Sequence, residues 1–176
     1  LGNGDGVGDR RSRSYWAKYE DAATLTWADV EWGKQLWGGK LILKGIQDVE
    51  DAKLAVKSGA DALIVSNHGG RQLDGAESSI RALPAIVDAV GSQIEVHMDG
   101  GIRSGQDVLK ARALGAKGTY IGRSYIYGLG AMGEAGVTTA LEIIRKELDI
   151  SMALCGRTDI NTVDKGILLP GTYAVA

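Results

Sequence analysis

From residue 40 onward, short apolar runs alternate with segments of helical pattern. Continuously apolar runs are typical of strands that are buried on both faces of a sheet. We predict strands at residues 41–46, 62–65, 94–99 and 118–122, with helices between them at 49–58, 79–90 and 106–114. Because a helical connection joins parallel strands, the pattern predicts an α/β fold with a parallel sheet covered by helices.

The chain also contains an internal repeat. Residues 45–60 align with residues 101–116 at a constant offset, so that Asp51 matches Asp107 and Ala55 matches Ala111. Each copy consists of a strand end, a turn, a helix and the approach to the next strand. Similar βα units in series are how a (β/α)8 barrel is assembled, which makes this barrel the predicted architecture.

The number of strands is too small for a closed barrel. Four βα units are recognisable, whereas a (β/α)8 barrel has eight and typically needs about 250 residues. Four parallel strands cannot close, and a sheet of four would leave two apolar edges unpaired. The chain of 176 residues is therefore expected to supply only part of a barrel.

Further elements are predicted on either side of this repeating region. Residues 1–25 are rich in glycine and charge, and we interpret them as a mobile loop. Thr26 and Asp29 form a capping pattern that begins a helix, and Gly38 and Gly39 end it. A long helix is expected over 136–152, with Ile160, Val163 and Ile167 packing back on the barrel wall.

Composition narrows the function only by exclusion. A net charge of −2 gives no electrostatic reason to expect nucleic acid, and no apolar run approaches the length of a membrane span. The single cysteine, Cys155, rules out an internal disulfide and is interpreted as a small core residue on a helix. Four tryptophans between Trp16 and Trp37 are interpreted as core and interface packing. We expect a cytoplasmic protein without a metal site.

Polar and glycine-rich groups stand at the end of every predicted strand. These groups are Lys44, then Ser66, His68 and Arg71, then Asp99, Gly100, Gly101 and Arg103, and finally Gly122 and Arg123. Ligands of (β/α)8 barrels bind at the carboxyl ends of the strands, so the groups are expected to line one site. We interpret His97, for which the sequence offers no partner, as structural.

Two kinds of chemistry follow from these groups. A histidine can accept a proton near neutral pH, and an arginine beside it can hold a carboxylate by two parallel hydrogen bonds. Glycine-rich turns before helical segments, with the guanidinium groups of Arg103 and Arg123, suit a phosphate group. Barrels commonly bind phosphate after their last two strands.

The segment Ser-Asn-His-Gly-Gly-Arg at residues 66–71 resembles the signature of the FMN-dependent 2-hydroxy-acid oxidases and dehydrogenases, such as glycolate oxidase, L-lactate dehydrogenase and mandelate dehydrogenase. The similarity runs from about residue 26 to 169. It implies that His68 is the base and that Arg71, with His68, binds the substrate. The FMN-binding residues that it implies are Lys44, Ser66, Asp99, Gly100, Gly101, Arg103, Gly122 and Arg123.

The resemblance also explains the missing strands. Residues 26–176 correspond to strands five to eight with their helices, so an N-terminal half-barrel from the same precursor or a second chain is the expected partner. In the family that half supplies an aspartate that pairs with the histidine and two substrate-binding tyrosines. Family members often form homo-oligomers, which we expect here by analogy.

Two other functions remain open at this stage. The chain could be a non-catalytic half-barrel that serves as an interaction subunit. It could also belong to another FMN barrel enzyme, although such enzymes lack the Ser-Asn-His-Gly-Gly-Arg segment. The reading that we favour is oxidation of a small L-2-hydroxy acid to the 2-keto acid.

Overall fold

The computed structural model describes residues 25–173. The predicted loop at 1–25 therefore lies outside the described residues apart from its last position, as does Trp16. The helices are α1 (Trp27–Trp37), α2 (Val49–Lys57), α3 (Ser79–Val90), α4 (Gly105–Ala113) and α5 (Arg123–Leu154). The strands are β1 (Ile42–Ile46), β2 (Ala62–Val65), β3 (Glu95–Met98) and β4 (Gly118–Thr119).

The four strands form one parallel sheet in the order β1-β2-β3-β4. This order confirms the predicted α/β fold and the succession of βα units. The pairing places Lys44, Ile64, His97 and Gly118 side by side across the sheet. Successive side chains of a strand point to opposite faces, so the residues one position away face the helices instead.

The helix-facing side of the sheet carries the main core. Leu63, Val65, Val96 and Met98 are buried there together with apolar residues of α2 and α3. The other face, called the inner face below, carries Lys44 and His97. Within residues 25–173, β1 and β4 each pair with one strand only. The sheet is thus an open half of a barrel, as the strand count predicts.

Helix α1 begins and ends where the sequence predicts. Thr26 and Asp29 form the capping box, and Gly38 ends the helix in the left-handed conformation at φ 65°. Trp27 packs against the core, but Trp32 and Trp37 are 63% and 69% exposed. The core packing expected of these two tryptophans is therefore wrong for this chain, because α1 presents no buried residue of its own. Their role at an interface stays a prediction.

Helix α5 is much longer than expected, since it begins at Arg123 rather than near residue 136. A kink at Met132 and Gly133 divides it, and both residues leave helical geometry. Gly128 and Gly136 lie on either side of the kink, and a Cβ on Gly136 would stand 1.8 Å from the Gly128 carbonyl oxygen. Two glycines therefore let the two parts of the helix approach at backbone distance.

The residues after α5 pack back on the fold, as predicted. Val163 is buried in a second apolar cluster with Leu109, Ala113 and Met152, and Ile160 and Ile167 pack against it. Cys155, however, is exposed, so its interpretation as a core residue is wrong. It follows the last residue of α5 as the C-cap and has left the buried face. In the described part of the chain, no helix combines the length and hydropathy needed to cross a membrane.

Candidate active site

The loop after β2 carries His68 and is fixed by side-chain oxygens. The hydroxyl of Ser66, itself buried, accepts a hydrogen bond from the backbone N–H of His68 at 3.1 Å. The side chain of Asn67 accepts from the Gly69 N–H at 2.9 Å, and the Ser79 hydroxyl of α3 accepts from the Asn67 N–H at 3.0 Å. The strand and the following helix together hold the histidine in place.

His68 adopts a strained backbone conformation, with φ at 54°. Among the described residues it is the only one other than glycine in the left-handed region. Such a conformation costs about 1 to 3 kcal/mol in a residue with a Cβ, and it persists where the surroundings impose it, often at functional sites. Here the bond from the His68 N–H to Ser66 and the bond from the Gly69 N–H to Asn67 impose it.

Lys44 connects three neighbouring strands on the inner face. Its ammonium group donates to the Ser66 hydroxyl at 3.0 Å and lies 3.0 Å from Oδ2 of Asp99. The other carboxylate oxygen of Asp99, Oδ1, is buried without a hydrogen-bond partner among the described residues. A buried acceptor of this kind is costly unless a donor reaches it, so Oδ1 marks a place for the hydroxyl group of a ligand.

The turn after β3 brings Gly100 against the histidine loop. A Cβ on Gly100 would stand 2.8 Å from both Asn67 Oδ1 and Ser79 Oγ, so only glycine fits there. The start of α4 is already occupied by side chains of the protein. Asp107 accepts from the N–H groups of Arg103 and Ser104.

Glu147 of α5 accepts from the next N–H group along this turn, that of Gly105, at 3.0 Å. The N–H groups at these three positions are therefore not free to bind a phosphate. An anion there would depend on guanidinium groups and on the glycine-rich turns before each helix.

Arg123 joins the end of β4 to the histidine loop. Its guanidinium group donates to the Gly69 carbonyl at 3.4 Å. Arg123 opens α5 directly after its N-cap Gly122, so it stands at a helix start as well as beside His68. The end of β4 and the loop that carries His68 are therefore in contact.

A cavity of about 420 Å³ brings these groups together. Nine of the ten site residues that the sequence predicts line this cavity. The tenth, Ser66, accepts a hydrogen bond from the ammonium group of Lys44. The lining contains one carboxylate, that of Asp99, and four cationic side chains, which are Lys44, Arg71, Arg103 and Arg123. Such an excess of positive charge suits a ligand that carries anionic groups. No cluster of side chains within residues 25–173 has the composition of a metal site.

Several residues of the site were not found from the sequence. Tyr120, Gln72, Ser124 and Ile126 also line the cavity, and Ser79 holds the loop from behind. An asparagine two residues before a glycine is a known turn pattern, so the bond from Gly69 to Asn67 had a sequence signal. The contact of Ser79 with Asn67 had none, because it joins two elements twelve positions apart.

The lining fits the parts of FMN. The two guanidinium groups of Arg103 and Arg123 suit a phosphate, and the unpaired Oδ1 of Asp99 suits a hydroxyl of the chain that links the phosphate to the ring. Gly101, whose Cβ would meet no atom within 4 Å, leaves open space beside this region. Lys44 supplies a cation on the same inner face.

Comparison with known proteins agrees with this geometry. Residues 5–170 match the family described as FMN-dependent dehydrogenase. An L-lactate dehydrogenase of Caulobacter vibrioides is 49% identical over 168 residues, which are 96% of this chain and 43% of that protein. An L-lactate dehydrogenase of Pseudomonas paraeruginosa is 50% identical over 146 residues, 83% of this chain and 38% of that protein.

Solved structures give the same result. A mandelate oxidase variant with a monooxide FMN adduct superposes with a TM-score of 0.76 at 47% identity, over 79% of this chain and 44% of that one. A mandelate oxidase variant with (S)-mandelic acid gives a TM-score of 0.77 at 47% identity, over 79% and 42%. The chain spans less than half the length of the relatives that it matches.

Proposed function

The chain belongs to the FMN-dependent dehydrogenase family, and from this premise we propose that it is the C-terminal half of a (β/α)8 enzyme that oxidises a small L-2-hydroxy acid to the 2-keto acid. One observation carries the proposal: His68 and Arg71 line the same cavity as Lys44, Asp99 and Arg123. A proton acceptor, a carboxylate-binding cation and a site for a flavin phosphate are what this reaction requires in one place.

FMN would be held by groups on all four strand ends. Arg103, Arg123 and the turns at Gly100, Gly101 and Gly122 would hold the phosphate, and Asp99 would hold a hydroxyl of the connecting chain. Ser66 and Lys44 would contact the flavin ring. Bound FMN supplies the acceptor for the two electrons that leave the substrate. A cation at Lys44 stabilises the negative charge that reduction brings.

His68 acts as the base. Conversion of a 2-hydroxy acid to a 2-keto acid releases two electrons and two protons, and a side chain must accept a proton at the reacting carbon or its hydroxyl. The His68 N–H donates to Ser66 and the neighbouring Gly69 N–H donates to Asn67, so the loop holds the imidazole in position before substrate arrives. Both routes of proton removal, from the α-carbon and from the hydroxyl, are compatible with this role.

Arg71 holds the substrate carboxylate. It follows the short 3-10 helix His68–Gly70 as its C-cap, so the base and the cation are three residues apart on one rigid turn. Two parallel hydrogen bonds from a guanidinium group orient a carboxylate as well as bind it. The α-carbon is thereby presented to the cofactor on one face.

An N-terminal half-barrel is the proposed partner. The unpaired edges of β1 and β4 within residues 25–173 and the exposed Trp32 and Trp37 support it. Strand edges and large apolar side chains are normally covered in a stable fold. In the cell this half comes from the same precursor or from a second chain, and the holoenzyme is expected to be a homo-oligomer.

The test uses this chain coexpressed with the part of the Caulobacter vibrioides L-lactate dehydrogenase that the chain does not match; we call the product the complemented protein. Its visible spectrum is recorded before and after anaerobic addition of L-lactate, glycolate or L-mandelate. Flavin absorbance at about 450 nm that bleaches with one acid supports the proposal and shows that the complemented protein oxidises that acid. Bound flavin that no hydroxy acid bleaches favours the non-catalytic half-barrel.

The substitution His68→Ala separates a base from a residue that merely lines the cavity. Loss of the base should slow flavin reduction by a factor on the order of 100 to 10,000 while FMN remains bound. Reduction at the unsubstituted rate would remove His68 from the mechanism.

A further inference from the structure

Three side chains form a hydrogen-bonded chain on the inner face of the sheet. The Tyr120 hydroxyl lies 3.2 Å from Nδ1 of His97, and Nε2 of His97 lies 3.2 Å from a carboxylate oxygen of Glu95. His97 therefore has two partners that the sequence did not indicate. These hydrogen bonds connect β3 to the residue that follows β4, and that residue, Tyr120, lines the cavity.

The His97 ring is held firmly within this chain. Gly118 pairs with His97 across the sheet, and a Cβ on Gly118 would stand only 2.7 Å from Nδ1. The rings of His97 and Tyr120 are stacked, with centroids 5.7 Å apart and planes at 29°. The side chain of His97 is only 17% exposed even in the open half-barrel. Glycine at position 118 thus makes room for an imidazole that supports the tyrosine.

The bond to Glu95 favours one tautomer of His97. An ionised carboxylate can only accept, so Nε2 carries the proton, and in that tautomer Nδ1 is an acceptor. The Tyr120 hydroxyl then donates to Nδ1 and keeps a lone pair free to accept another hydrogen bond. A ligand hydroxyl is the natural donor for it.

Tyr120 lies beside the unpaired carboxylate oxygen of the cavity. Its backbone N–H donates to the Met98 carbonyl at 3.0 Å, which sets it next to Asp99 across the sheet. Both side chains line the cavity, and Oδ1 of Asp99 has no partner among the described residues. Two acceptors on neighbouring strands match a ligand segment that carries several hydroxyl groups.

We infer that Tyr120 is a further FMN-positioning residue, which contacts the hydroxylated chain between the phosphate and the ring, and that His97 and Glu95 hold it in place. The inference rests on the proposed function. It assigns no proton transfer to the three residues. Their effect is to fix the tyrosine so that the cofactor binds in one orientation.

The test measures FMN affinity, by the change in flavin fluorescence on titration of the complemented protein freed of cofactor. Tyr120→Phe removes one hydroxyl and should weaken FMN binding about tenfold, the size expected for one hydrogen bond. The unfolding midpoint of the cofactor-free protein should fall only slightly, because the substitution also removes the bond to His97. Tyr127→Phe is the control, since Tyr127 is 71% exposed and does not line the cavity.

Substitution of Glu95 tests whether His97 and Glu95 hold Tyr120 in place. Glu95→Gln keeps an acceptor for the Nε2–H of His97 and should bind FMN like the unsubstituted protein, whereas Glu95→Ala should weaken binding as much as Tyr120→Phe. The double variant Glu95→Ala, Tyr120→Phe should bind FMN no more weakly than either single variant does.

Unchanged FMN affinity in Tyr120→Phe overturns the inference but leaves the proposed function intact. Failure of the unsubstituted complemented protein to bind FMN overturns both.

Discussion

Gly45 lies directly against the ring of His68. A Cβ added to Gly45 would stand 2.7 Å from Cε1 of the imidazole, a distance shorter than real Cβ contacts. Gly45 also interrupts the pairing of β1 with β2, where the register shifts between Lys44 and Ile46, and its φ is 100°. The bulge in β1 therefore makes the space in which the proposed base lies.

Gly45→Ala should displace His68 and reduce flavin reduction by hydroxy acid by a factor on the order of 10 to 100, because small displacements of a reacting group are costly. FMN binding should change much less. Rapid-mixing absorbance measurements on the complemented protein give the rate, and fluorescence titration gives the affinity.

Gly59→Ala provides the matched control. Gly59 also has a positive φ, 81°, but its Cβ would meet no atom within 4 Å. Gly59→Ala should lower the free energy of unfolding by about 1 kcal/mol through backbone strain, without any loss in the rate of flavin reduction. Equal rates in Gly45→Ala and the unsubstituted protein would contradict the importance of this contact.

Arg71→Lys should impair substrate binding more than the chemical step. Lysine keeps the positive charge but cannot make two parallel hydrogen bonds to a carboxylate. We expect KM for the hydroxy acid to rise about tenfold or more, in line with the loss of one charge-assisted hydrogen bond. Steady-state kinetics over a range of substrate concentrations measure this. An unchanged KM would exclude Arg71 from the carboxylate site.

The sequence predicted those parts of the fold that depend on local pattern. Strand β2 and helix α3 have the bounds expected, because a continuous apolar run and a periodic apolar face determine them. The first part of α5 was missed, since Gly128 and Gly130 are poor helix formers and gave no helical signal. Close backbone packing around Gly128 compensates for this low propensity, and such packing is visible only in three dimensions.

In the site, too, local pattern could be predicted from the sequence, whereas contacts between separate elements could not. Residues at strand ends could be predicted to converge, because the carboxyl ends of parallel strands share one edge of the sheet. The contacts of Gly45 with His68 and of Ser79 with Asn67 could not, since each depends on how two separate elements pack. Occupation of the α4 start by Glu147 also depends on a distant helix.

Asp61 should make stability depend on pH at the opposite end of the sheet. Hydrogen bonds from Lys34 first, then from Lys40 and the Leu41 N–H, hold the pKa of its carboxyl well below the ordinary value. A lowered pKa stabilises the fold above the unfolded value of about 3.9, and this stability is lost as the pH falls below it.

Asp61→Asn should therefore lower the unfolding midpoint at pH 7, and its difference from the unsubstituted chain should shrink as the pH falls below about 4. Thermal unfolding followed by circular dichroism measures both. Glu50→Gln is the control, because the Glu50–Lys53 pair is exposed and should contribute little at any pH. A constant difference between pH 7 and pH 3 would argue against ionised Asp61 as the cause.

Two glycine-to-alanine substitutions should change stability in opposite directions. A Cβ on Gly105 would stand 1.9 Å from the backbone nitrogen of Leu148, so α5 must move away from α4 to accommodate it. Gly105→Ala should lower the free energy of unfolding by about 1 to 3 kcal/mol, as overpacking does, and should weaken the bond between Glu147 and the Gly105 N–H.

Gly33 lies inside α1, and a Cβ added there would meet no atom within 4 Å. Gly33→Ala should therefore raise the free energy of unfolding by about 0.5 to 1 kcal/mol through helix propensity alone. Urea unfolding of the two variants separates the effects, because both add the same methyl group to a helix. Equal changes in the two variants would show that contact with α5 does not constrain position 105.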